Sequence, residues 1–198
     1  MVRLFMKQEY ISMQNRIIVK DESGKDVFLI VGKWGRVGDA LSLYSLDGSL
    51  IAEAKQTFLS IFPKFDLYYE GEKVASVVKR PGIRNPYFTV SKLNWVISGN
   101  FSEKRYTIRH YTELIMKLEK SHSYTGDFYS LLVMNEEHAP LCCLLSVIVD
   151  HYSPRRSSLR QLQLQSRYSL GFYQPVFGFS TFCHDLVVTN CRLSKKTD

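Results

Sequence analysis

Segments in which apolar and polar residues alternate fill the chain from about residue 4 to residue 132. In one of them Leu114, Met116 and Leu118 alternate with Lys117 and Glu119. This alternation gives an extended segment one apolar and one polar face, and therefore predicts β-strands. The predicted strands are 16–20, 27–31, 41–44, 50–54, 65–69, 74–78, 87–90, 93–97, 106–109, 114–119 and 127–133.

Two kinds of connection join these strands. Turns that combine acids with a glycine, at residues 21–25, 47–48 and 70–73, are typical of hairpins whose turns need positive φ at glycine. The connectors between the hairpins, at residues 33–38, 58–64 and 79–84, are aromatic and basic. The pattern predicts consecutive antiparallel hairpins.

A run of apolar residues from Ala139 to Asp150 follows the strands, and between Leu141 and Val149 only Ser146 is polar. The run is shorter than the roughly 20 apolar residues that span a bilayer. A helix of this composition must be surrounded by protein, although the β-branched residues 147–149 leave a buried strand as the alternative. The predicted core residues of the helix are Leu141, Cys142, Cys143, Leu144, Leu145, Val147, Ile148 and Val149.

The residues at the two ends of the run favour the helix. Asn135 can cap a helix, the acids that follow it suit the positive end of the helix dipole, and His151 suits the negative end. Pro140 is tolerated only in a first turn, so either the helix begins near Pro140 or residues 136–139 form a separate turn. We predict a helix that ends at about Tyr152, before Pro154.

About a dozen antiparallel strands in one layer would curl and close, because closure removes exposed edges. The interior of such a barrel must be filled, and the apolar helix has a suitable diameter of about 10 Å. We therefore predict an all-β closed barrel around a central C-terminal helix, formed by residues 1–153. Residues 154–198 are rich in Arg, Ser and Gln and then in aromatics, which predicts a basic, poorly ordered tail.

The sequence resembles the LURP-one-related family of the tubby C-terminal-like superfamily over residues 2–152. The residues that carry the resemblance are 3–8, 19–27, Lys33 with a following glycine, 61–64, Trp95 ahead of 99–101, and the helix ending in Asp150. The resemblance implies a twelve-stranded β-barrel around a central hydrophobic helix, as in tubby proteins and phospholipid scramblases. It implies little about chemistry, because a shared fold does not transfer function.

The net charge of +7 suggests an anionic partner, but much of it lies in the tail, where seven basic residues stand against two acids. The N-terminus shows no long apolar segment, and the four cysteines form no disulfide framework. We expect a cytoplasmic monomer that associates peripherally with membranes.

No arrangement of residues indicates catalysis or a cofactor. The five histidines have no metal-ligand spacing, and Cys142 and Cys143 would be inert inside a core helix. We expect a binding or scaffold protein without enzyme activity, cofactor or metal. An alternative is a nucleic-acid-binding protein that uses the basic tail and aromatic surfaces.

Basic and aromatic connectors are the best candidates for a binding site. Cations beside an amphipathic aromatic suit an anionic phospholipid headgroup, and the likeness to tubby-like barrels, which bind phosphoinositides, favours this interpretation. The alternative is a solvated charged loop. The candidate residues are Lys33, Trp34, Arg36, Lys79, Arg80 and Arg84.

Overall fold

The computed structural model describes residues 1–11, 14–34, 38–58, 60–83, 85–123 and 126–153. Arg36, Arg84 and the predicted tail, 154–198, lie outside these residues, and so does the tail-based prediction of nucleic-acid binding. The strands are β1 Val2–Ile11, β2 Gln14–Lys20, β3 Asp26–Lys33, β4 Ala40–Ser45, β5 Leu50–Gln56, β6 Lys64–Tyr69, β7 Glu72–Arg80, β8 Tyr87–Ser91, β9 Trp95–Asn100, β10 Arg105–His110, β11 Glu113–Ser123 and β12 Gly126–Val133.

The twelve strands form a closed antiparallel barrel. Each strand pairs with its neighbours in sequence, and β1 pairs with β12 from Val2 opposite Val133 to Met6 opposite Tyr129. This last pairing leaves no open sheet edge among the described strands. The prediction of a closed barrel with a C-terminal helix is confirmed.

Inward-facing side chains alternate along the strands, as the sequence pattern predicts. Leu41 and Leu43 of β4 and Ala52 and Ala54 of β5 are buried, and their sequence neighbours are more exposed. The helix lies closest to β5 and β4. Alanines on the inner face of β5 leave room for this approach, because a larger side chain would fill the same space.

The helical segment begins in two steps. A 3₁₀ helix spans Glu136–His138, and the Asn135 side chain accepts a hydrogen bond from the backbone N–H of Glu137. The α-helix, α1, spans Ala139–Tyr152 and has Pro140 in its first turn. The two starts that the sequence left open therefore both occur, because a separate turn precedes a regular helix that begins beside Pro140.

The apolar part of α1 lies inside the barrel. Every residue of α1 from Ala139 to Val149 is buried, including all eight predicted core residues. The one polar side chain in this stretch, Ser146, donates a hydrogen bond to the Cys142 carbonyl at 2.7 Å, and Tyr106 donates to the Ser146 carbonyl at 3.2 Å. The helix is thus the centre of the hydrophobic core, and its polar groups are satisfied locally.

In this up-and-down barrel, alternate connections lie at opposite ends. The turns at residues 21–25, 46–49 and 70–71 lie at the end where α1 begins, which we call the turn end. The connectors that follow β3, β5 and β7 leave these strands at the end where α1 finishes, which we call the connector end. The two kinds of connection in the sequence therefore occupy different surfaces.

Candidate functional site

The last turn of α1 is fixed to the barrel wall at the connector end. Asp150 forms an ion pair of 2.5 Å with Lys104 and accepts a hydrogen bond of 3.1 Å from the Tyr129 hydroxyl. The His151 ring stacks on Trp34, with ring centroids 3.8 Å apart and planes 8° apart. Successive helix residues therefore contact different parts of the wall.

Tyr152 makes the most extensive of these contacts. Its hydroxyl donates a hydrogen bond to the Asp39 carboxylate, and its ring meets Phe65 edge-on at 5.4 Å. Burial and the neighbouring Asp39 hold the pKa of Tyr152 well above its usual value. Its carbonyl accepts a hydrogen bond of 2.6 Å from the Lys79 ammonium. Lys79 thus places a positive charge at the negative end of the helix dipole.

We expect Lys79→Met to lower the free energy of unfolding by about 1–2 kcal/mol, because the helix end loses a charged hydrogen bond. Urea unfolding followed by circular dichroism would measure the change. Lys33→Met removes an exposed lysine and should change stability by less than about 0.5 kcal/mol. Equal effects of the two substitutions would show that the contact with Tyr152 does not stabilise the barrel.

The structure divides the predicted site residues into two groups. Trp34 and Lys79 both contact Tyr152 at the end of α1. The Trp34 ring packs against the Tyr152 ring, and Lys79 caps the helix through the Tyr152 carbonyl. Lys33 and Arg80 are exposed at the connector end, on strands separated by three others, and neither forms an ion pair with another described residue. The exposed pair is therefore better placed than Trp34 or Lys79 to meet a ligand.

The connector end also exposes large apolar side chains that the sequence analysis did not select. Ile61 is 96% exposed, Ile83 is fully exposed, and Phe58 and Phe62 are 66% and 39% exposed. The signal was present in the sequence, because alternate connections of a meander share one end, so residues 58–64 and 79–84 had to be neighbours.

Backbone contacts hold described residues of the two neighbouring loops that carry these side chains. A hydrogen bond of 2.9 Å from the Thr57 N–H to the Lys64 carbonyl closes the first loop. The Lys79 N–H donates to the Pro63 carbonyl at 3.2 Å, which joins this loop to the end of β7. The second loop turns so tightly that a Cβ on Gly82 would lie 2.0 Å from the Asn85 carbonyl oxygen. Ile61 and Ile83, which we call the apolar tips, thus lie near residues whose backbone is held by these contacts.

The turn end has the opposite electrostatic character. Hydrogen bonds from Ser23 and Ser45 hold the pKa of Asp21 and Asp47 below their usual values, so these carboxylates stay negative. Acids outnumber bases in the described turns of this end, which contain Asp21, Glu22, Asp47, Glu70, Glu136 and Glu137 against Lys25 and Lys92. The barrel therefore has an acidic end and an end where exposed cations flank apolar tips.

The two cysteines of α1 lie in the apolar core. Burial raises the pKa of Cys143 to about 12, and burial also raises that of Cys142, so both thiols stay protonated near neutral pH. Among the described residues, no three His, Cys, Asp or Glu side chains are grouped as metal ligands. No helix in the described ranges is long and apolar enough to cross a membrane.

Three comparisons relate this chain to known proteins. The profile of the family described as LURP-one-related matches residues 2–150. A Bacillus subtilis (strain 168) protein, uncharacterized protein YxjI, is 26% identical over 150 residues, covering 76% of this chain and 93% of that protein. The X-ray structure of the Arabidopsis thaliana protein AT5G01750 has a TM-score of 0.50 and 13% identity, covering 75% of this chain and 91% of that one. At 13% identity the last likeness concerns the fold alone.

Proposed function

This chain belongs to the LURP-one-related family, and from the geometry of its connector end we propose that it binds anionic membrane surfaces. The observation that carries the proposal is that the connector end combines exposed apolar side chains with exposed cations, whereas the apolar side chains exposed at the turn end, such as Leu46 and Leu50, share that end with acids. Both features favour contact of the connector end with an anionic bilayer. The proposed function is binding alone, with no chemical step, enzyme activity, cofactor or metal, and we expect a peripheral protein.

Electrostatics supports this orientation in two ways. Each Lys or Arg near an anionic membrane contributes about 1 kcal/mol of attraction within a Debye length of the surface. Lys33 and Arg80 are exposed and point into solvent at this end. The acids of the turn end, Asp21 and Glu70 among them, would then face away from the membrane and avoid repulsion.

Charge reversal at the connector end should weaken membrane binding. The full chain is sedimented with vesicles of phosphatidylcholine containing about a third phosphatidylserine, at low salt, and with vesicles of phosphatidylcholine alone. We expect binding to the first vesicles, and Lys33→Glu/Arg80→Glu to reduce the partition coefficient at least about tenfold, because two attractive charges become repulsive.

A matched control separates position from net charge. Lys25→Glu/Lys92→Glu makes the same change in net charge at the turn end, and we expect it to lower binding less than threefold. Absence of binding to anionic vesicles by the wild-type chain would refute the proposed function. Equal losses for the two double variants would mean that net charge, and not the connector end, determines binding.

A further inference from the structure

We propose that Ile61 and Ile83 insert into the interfacial region of the bilayer, so that the barrel docks end-on with its axis close to the membrane normal. This inference rests on the proposed function and specifies its target: an assembled bilayer, and not a soluble phosphate or a protein. Ile61 and Ile83 are almost completely exposed at the tips of neighbouring loops. With Phe58 and Phe62 they make up a group of exposed apolar side chains on two neighbouring loops, which is the kind of surface that marks an interaction site.

The order of residues along the barrel axis matches the order of chemical layers in a bilayer. Ile61 and Ile83 lie in the loops beyond the strand ends, whereas Lys64 begins β6 and Arg80 ends β7. A docked barrel would therefore place the apolar tips deepest and the cations one layer behind them, at the depth of the phosphates. A soluble anion would need the cations but not the tips, so the tips favour a bilayer.

Aromatic residues accompany the cations and the tips. Tyr87 begins β8, pairs with Arg80 across the sheet, and is 36% exposed. Phe58 and Phe62 flank Ile61 in the first loop and are also exposed. Aromatic side chains concentrate at membrane interfaces, because one part of the ring is apolar while its edge tolerates water.

The backbone of the two loops lowers the entropic cost of insertion. Pro63, Pro81 and Pro86 stand at the strand boundaries of the loops, where each restricts its own φ. The hydrogen bond between Thr57 and Lys64 and the tight turn at Gly82 hold the loops further. Because residues beside the tips already make backbone contacts, less conformational freedom is lost when the tips enter the interface.

Replacing the tips should weaken binding without changing charge. Ile61→Ser/Ile83→Ser in the full chain is expected to lower partitioning onto the phosphatidylserine vesicles about 100-fold, or about tenfold for each side chain. The slope of binding against salt should stay as in the wild type, because the cations remain. Leu46→Ser/Leu50→Ser makes the same kind of change at the turn end, where both leucines are exposed, and should leave partitioning unchanged.

Insertion can also be observed directly. Ile61→Cys, in a chain that also carries Cys183→Ser and Cys191→Ser, can be labelled with the environment-sensitive fluorophore NBD, because Cys142 and Cys143 are buried. We expect its emission to rise and shift to the blue on anionic vesicles, whereas the label at position 46 stays unchanged. Millimolar inositol hexakisphosphate should not release the protein from the vesicles.

The outcomes distinguish this inference from the proposed function. Suppose that Ile61→Ser/Ile83→Ser binds vesicles as the wild type does, while Lys33→Glu/Arg80→Glu still weakens binding. The insertion proposal is then wrong, and surface electrostatics alone explains binding. Full release by inositol hexakisphosphate would also overturn insertion and identify a soluble anion site. A blue shift of the NBD emission, together with weaker vesicle binding by Ile61→Ser/Ile83→Ser, supports insertion. Failure of the wild-type protein to bind the phosphatidylserine vesicles would refute both insertion and the proposed function.

Discussion

Leu144→Ala is expected to lower the free energy of unfolding by about 2–5 kcal/mol. Leu144 lies in the middle of α1 and has no exposed surface. Its side chain fills the barrel interior between strands that are closed into a ring, so the wall cannot easily collapse into the space left behind. The loss would remove a large part of the about 5–15 kcal/mol that stabilises a typical domain.

Urea unfolding of the full chain, followed by far-ultraviolet circular dichroism, would measure this effect. Leu46→Ala is the matched control, because Leu46 is 58% exposed in a turn and its truncation should cost less than about 0.5 kcal/mol. Leu144→Asp places a carboxylate in the same apolar interior and should yield no folded protein. A folded Leu144→Asp variant would contradict the position of α1 inside the barrel.

Gly99→Ala is expected to cost about 3–5 kcal/mol, through backbone strain and overlap together. Gly99 has a φ of +152°, which side-chain-bearing residues rarely adopt. A Cβ at this position would lie 2.6 Å from both the Arg105 carbonyl oxygen and the Tyr106 Cα. Both atoms belong to the backbone of the paired strand β10, so no rotation of a side chain relieves the overlap.

The effect should reach the core through Tyr106, whose buried hydroxyl donates to the Ser146 carbonyl of α1. Gly48→Ala separates strain from overlap, because Gly48 also has positive φ but a Cβ there would meet nothing within 4 Å. We expect the control to cost about 1 kcal/mol in thermal and urea unfolding. Similar losses in both variants would show that β9 and β10 adjust to the methyl group.

Local pattern located eleven of the twelve strands and missed β1, because most strands alternate along their own length. The predicted strand at 65–69, for example, is β6 Lys64–Tyr69, with Phe65 and Leu67 inward. The segment 93–97 was less accurate, since β9 begins only at Trp95. Residues 92 and 94 have positive φ and form the turn before it. Turn conformation depends on how two strands meet, which alternation alone does not encode.

The candidate site was harder to predict, because side chains with the same chemistry have different roles in the tertiary structure. Lys79 and Arg80 are adjacent in sequence, yet the first caps α1 through Tyr152 and the second is exposed. A one-residue step along a strand reverses the face, so it changes a cation from an interior contact to a surface charge. Ile61 and Ile83 would ordinarily be assigned to a core by composition.

The sequence by itself determined the type and order of the elements: strands joined by two kinds of connection, then an apolar helix that had to be enclosed. Hydrophobic periodicity and helix-end residues are local properties, which is why they were sufficient. Only the tertiary structure decided that β1 pairs with β12, that Lys79 and Trp34 hold the end of α1, and that Ile61 and Ile83 are exposed on neighbouring loops. These relations join residues far apart in the chain, and they arise only when the sheet closes around the helix.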